Sequence, residues 1–215
     1  MTRPLKQPAG VRESSEQATA ALPNYRRVLW FAFWINAVMF VVELFGAMSA
    51  QALSLLADAI DFFGDAGNYL VSLLVLTASP ARRAGVALFK GIVMAGFGVF
   101  ICLQIYSHMQ AGTVPAAFTM GVIGILALLA NLAVTALLFP HREGDANRRS
   151  VWLATRNDAL SNLAVVFAAA GVFGTQSGWP DLMVAGLMAV LALTSAWSVI
   201  RQAVGELIHP SQRHS

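Results

Sequence analysis

Charge is scarce in this sequence. Asp, Glu, Lys and Arg together make up 12% of 215 residues, against 57% that are hydrophobic, about half the ~25% charged fraction of soluble domains. With 14 basic and 11 acidic residues the chain cannot cover a water-soluble globule of its length, and its apolar content excludes a disordered one. Cysteine is nearly absent. Cys102 stands alone, so an internal disulfide framework and a cysteine-built zinc site within one chain are both excluded. Metal chemistry here must use oxygen or nitrogen ligands. Histidine is sparse as well: His108, His141, His209 and His214 all fall in connecting segments or the tail, where solvation is a simpler reading than ligation.

What is present is a series of six apolar stretches, at 28–48, 52–78, 84–106, 116–139, 151–173 and 182–200. Each is close to the ~20 residues needed to cross a bilayer as a helix. The first exceeds the 7 to 15 apolar residues of a signal peptide, so it reads as a retained span. Turn signals such as Ser79-Pro80 and the glycine and proline of 112–115 separate the stretches, and no break is long enough for a domain. The expected fold is an all-α membrane protein of six transmembrane helices. Residues 1–27, rich in Pro, Ser and Gln, read as a flexible cytoplasmic tail, 28–207 as the transmembrane domain and 208–215 as a short cytoplasmic tail.

Lysine and arginine set the orientation. Arg3, Lys6, Arg12, Arg26 and Arg27 precede the first stretch, Arg82 and Arg83 lie between the second and third, and Arg142, Arg148 and Arg149 between the fourth and fifth. Arg201 and Arg213 close the chain, and Lys90 and Arg156 read as side chains that snorkel to the same interface. The three opposite connections carry none. Both termini are therefore expected in the cytoplasm, with the protein a multi-pass component of the cell (inner) membrane. The pI near 9.5 follows from this topology. No basic run is interleaved with aromatics, so nucleic acid is not an expected partner. The five tryptophans, Trp30, Trp34, Trp152, Trp179 and Trp197, fall mostly near stretch ends, as interface anchors do, while Cys102 and the eight methionines read as packing.

Five acidic residues lie inside these stretches: Glu43, Asp58, Asp61, Asp65 and Asp158. An aspartate at the bilayer centre costs roughly 2.5 to 3.5 kcal/mol on insertion scales, so each requires an explanation. Asp58, Asp61 and Asp65 are spaced three and four apart, which places them on one helical stripe with Ser54 and Asn68. Asp158 and Asn162 form a second polar line, and Asn36 and Glu43 a third. At ~1.5 Å rise per residue, Asp61 and Asp65 lie about 14 to 20 Å below one face and Asp158 about 20 Å below the same face. Asp61, Asp65 and Asp158 can meet. Crowded carboxylates in a low-dielectric pocket resist joint ionisation, so the empty site holds protons and a divalent cation displaces them. That is the chemistry of a metal–proton exchanger. Asp58, Glu43 and Asn36 read as packing or gating residues, and Asn162 as either a ligand or an interhelical contact.

Asn36, Glu43 and Gly46, the run from Ser54 through Asp58, Asp61 and Asp65, and Asn157-Asp158 with Asn162 resemble the cation diffusion facilitator family over about residues 25–207. The resemblance implies efflux of divalent metal, chiefly zinc, in exchange for protons, by a homodimer and without enzymatic activity. It implies a tetrahedral site from which Asp61, Asp65 and Asp158 carry over, with a histidine one turn before Asp158. Here that position is Ala154. An oxygen-only shell suits harder cations better than one containing imidazole, so manganese, iron, cobalt and cadmium stand beside zinc as substrates. No resident cofactor is expected beyond the transported ion. Family members usually continue into a cytoplasmic metal-binding domain, whereas this sequence ends 15 residues after Ile200, so dimerisation is expected to rest on the spans. The alternative function is a non-transporting metal-binding or assembly membrane protein derived from such a transporter. An exporter of organic cations has only Phe62 and Phe63 in its favour.

Overall fold

The computed structural model describes residues 9–74, 79–141 and 146–208, with side chains at 24–74, 79, 81–82, 84–140 and 158–208. Among the described residues it contains six α-helices and no strand. They are α1 (Ala9–Ala50), α2 (Leu53–Leu74), α3 (Pro80–Ala111), α4 (Ala117–Leu138), α5 (Ala146–Thr175) and α6 (Trp179–Ile208), with a 3-10 turn at Phe139–His141. Helix is the conformation expected for such apolar runs, because it satisfies every interior backbone group within the segment itself. Five helices are long and apolar enough to cross a membrane. The remaining one, α2, matches α4 in length but carries three aspartates.

α1 begins at Ala9, within the segment read as a tail, and runs on into the first apolar stretch. Residues 9–22 include four alanines with Arg12, Glu13, Glu16, Gln17 and Leu22, good helix formers that show no continuous apolar face. The remaining ends of the tails, 1–8 and 209–215, and the end of the second stretch, 75–78, lie outside the described residues.

Helix α2 occupies the centre and touches each of the other five. α1 packs chiefly on α2, α3 on α6, and α4 on α5. The buried faces are dense in alanine, as with Ala185, Ala189, Ala192 and Ala196 along α6, and small side chains let helix backbones approach closely. The exterior is strongly apolar: Phe118 is 83% exposed and Phe173 71%. Trp30, Trp34, Trp179 and Trp197 are exposed too. The interior, conversely, holds Asn36, Glu43, Ser54, Asp58, Lys90, Asn131, Asn162 and Asp181. This inverts the arrangement of a water-soluble protein.

The α1–α2, α3–α4 and α5–α6 turns gather at one end of the bundle and interlock. Each turn carries a left-handed residue, Gln51 (φ 53°), Gly112 (φ 63°) and Gln176 (φ 51°) respectively, the usual way a helix is brought to a stop. Ala116 N–H donates to the Ala50 carbonyl at 2.8 Å, joining two of the turns. Gly178 lies against the Thr113 carbonyl so closely that any side chain would collide with it, joining the third. Asp181, at the start of α6, accepts backbone hydrogen bonds from Leu53 (2.8 Å) and Ser54 (2.9 Å). It thereby caps the first turn of α2, whose N–H groups have no partner within their own helix.

Candidate metal centre

The stripe anticipated on α2 is buried at its start and opens toward its end. Ser54 and Asp58 are fully buried, Asp61 and Asp65 are half-buried, and Asn68 is exposed. From the capped start of α2, Asp61 and Asp65 lie about 12 and 18 Å along the helix at ~1.5 Å per residue. Asp158, half-buried on α5, turns its carboxyl toward Asp65 within hydrogen-bonding reach. Asp61 and Asp58 add their charges to the same neighbourhood. Two carboxyls in such contact need a shared proton or a shared cation between them, because an ionised carboxylate only accepts. The three sequence-assigned ligands are therefore neighbours across the α2–α5 interface. As they stand, no group of three or more acidic, histidine or cysteine side chains among the described residues closes to ion-holding geometry.

The accompanying polar residues divide into two sets. Glu43 of α1 and Asp58 face each other, and neither Glu43 oxygen finds a donor. Asn36, one face along α1, spends its amide N–H on the Ala32 carbonyl at 2.8 Å and leaves its oxygen unpartnered. Asn162 is fully buried with both amide atoms unpartnered, one turn beyond Asp158. Ala154 lies on α5, but its side chain is outside the described ones, as is that of Arg156.

Lys90 differs from its expected place, and Asp181 had none assigned. Lys90 does not snorkel to the interface: it is 6% exposed, and its Nζ donates to Asn68 Oδ1 at 2.5 Å. It lies among the carboxyls of Asp65, Asp158 and Asp61. The signal was available, since Lys90 is six residues into its stretch and Asp158 seven into its own, from the same side. The depth arithmetic used for the aspartates puts the two level. Asp181 gave no such signal, because its partners lie 128 and 127 residues away. His108 also differs from expectation: it sits in the last turn of α3, half-buried, with its Nδ1 2.9 Å from the Gln104 carbonyl oxygen of the same helix.

Comparison with known proteins agrees with this architecture. The family model for the cation efflux transmembrane domain matches residues 29–208. The zinc transporter ZitB of Escherichia coli (strain K12) is 28% identical over 212 residues, covering 91% of this chain and 67% of that protein. ZitB of Pectobacterium atrosepticum is 28% identical over 204 residues, covering 88% and 63%. A cadmium, cobalt and zinc/H(+)-K(+) antiporter of Bacillus subtilis is 22% identical over 193 residues, covering 83% and 62%. The chain spans about two thirds of the length of these relatives. With the cation efflux transmembrane domain matched over most of its length, the chain belongs to the cation efflux family.

Proposed function

We propose that the chain carries divalent metal ions out of the cytoplasm in exchange for protons, using Asp61, Asp65 and Asp158 as ligands. α2 is the sixth span, both termini are cytoplasmic, and the assembly is a homodimer in the cell's inner membrane. The observation that carries this reading is the approach of Asp158 on α5 to Asp65 on α2, two carboxyls from different helices in an apolar bundle. A dication neutralises what the carboxyls cannot hold together, and its entry releases the protons that occupied them. Zinc leads the substrates, because relatives from three bacteria bear zinc in their names. Manganese, iron, cobalt and cadmium remain the competitors, since Ala154 supplies no imidazole.

Proteoliposomes loaded with a pH dye test the proposal. Addition of zinc should produce metal uptake and a proton flux in the opposite direction, and Asp158→Ala should abolish both while the protein still elutes as folded. Metal binding with no pH change in the wild type would favour the non-transporting alternative. Retained flux in Asp158→Ala would remove that residue from the ligand set.

A further inference from the structure

Lys90 enters the bundle interior by a route that α2 keeps open for it. Its stem lies along two glycines: a Cβ at Gly67 would stand 2.9 Å from Lys90 Cδ and 3.2 Å from Cγ, and one at Gly64 would touch Cε at 3.7 Å. Any larger residue at 67 would push the stem aside. At its tip the ammonium is held by Asn68 Oδ1 at 2.5 Å, and the Asn68 side chain also lies within hydrogen-bonding reach of Asp65. Glycine at two positions on the lysine-facing side of the aspartate helix, an amide at the end of the path and 6% exposure together describe a seat built for a cation. A lysine is rarely buried without such a partner.

We infer that Lys90 is a specificity-determining residue of the transport site, a resident positive charge that sets the charge offered to the incoming ion. This rests on the proposed function. Three carboxylates alone present −3, whereas with the ammonium they present −2, which a single divalent ion balances. A monovalent ion leaves one negative charge uncompensated in low dielectric, and a trivalent ion leaves one positive charge. The lysine thus favours divalent over trivalent ions by charge count, where Ala154 offers no nitrogen ligand to select by softness. It also weakens the hold on the metal, because like charges repel and a buried site screens them poorly. A transported ion must be let go as well as captured.

The test is zinc flux against zinc concentration in proteoliposomes for wild type, Lys90→Met and Lys90→Gln, with Asp61→Ala as the dead control, alongside equilibrium zinc binding in detergent. Removing the charge while keeping an unbranched side chain should lower KM and the dissociation constant for zinc about tenfold and lower kcat, an opposed change that simple loss of packing does not produce. Lanthanum competition should strengthen in both variants, because a −3 site is balanced by a trivalent ion. Unchanged KM and unchanged binding in either variant overturn the role of Lys90 while leaving metal transport standing. Absence of zinc flux in the wild type overturns the transport reading instead, and the binding measurement still decides the lysine. If neither variant assembles on size-exclusion chromatography, Lys90 is structural and the proposal fails.

Discussion

The carboxylate of Asp181 accepts the backbone N–H of Ser54 at 2.9 Å, and its second oxygen takes Leu53 at 2.8 Å, so the first turn of α2 is capped by a residue of α6. A cap is usually supplied by the residue just before the helix. Here it comes from another helix and does two jobs, satisfying the helix end and fixing the position of the helix that carries Asp58, Asp61 and Asp65.

Asp181→Ala should therefore destabilise the bundle by about 2 kcal/mol, from two buried N–H groups left without acceptors. In detergent this should lower the unfolding midpoint by about 4 to 8 °C. Asp181→Asn, which keeps one acceptor, should lose about half as much. Thermal melts followed by tryptophan fluorescence would read both, and an unshifted Asp181→Ala would show that water replaces the cap.

Asp58 and Asp61 lie one turn apart yet should behave differently. Asp58 faces Glu43, so Asp58→Asn should cost flux about tenfold, the scale of an outer partner rather than a ligand. Asp61→Asn should remove measurable flux. Equal loss in the two would enlarge the ligand set to include Asp58.

Glu43→Gln supplies the facing Asp58 with an amide donor where two carboxyls now meet. Its stability should equal or exceed the wild type, whereas Glu43→Ala should lose about 1 to 3 kcal/mol by leaving Asp58 buried alone. Denaturation of Glu43, Asp58 and double variants in a mutant cycle would measure a coupling above about 0.5 kcal/mol if the pair is real.

Restoring a nitrogen ligand should change metal preference. Ala154→His should raise the ratio of zinc and cadmium flux to manganese flux by about tenfold, because imidazole suits the softer ions. Competitive uptake from an equimolar mixture checks the ratio, and no change would place position 154 outside the coordination sphere.

Much of the fold was legible from hydropathy. The stretch at 116–139 became α4 (Ala117–Leu138) almost unchanged, and 182–200 is contained in α6. The stripe of Asp58, Asp61 and Asp65 was readable because a charge in an apolar helix has few innocent explanations. Three features were hidden. The start of α1 at Ala9 lacks an apolar face, so periodicity was silent there. Lys90 follows Arg82 and Arg83, and the positive-inside pattern drew it to the interface, although its depth matched Asp158. Asp181 sits beside a tryptophan and a proline at a turn, where an acidic residue is unremarkable until its partner 128 residues away is seen.

The two ties on α2 have a mechanical consequence. Asp181 fastens its beginning to α6, and Lys90 fastens its later half to α3, and α3 and α6 pack on each other. Asp158 arrives on α5, whose main companion is α4. Asp65 and Asp158 therefore sit on helices held by different companions, so their separation is fixed by how the α2–α3–α6 group packs against the α4–α5 pair.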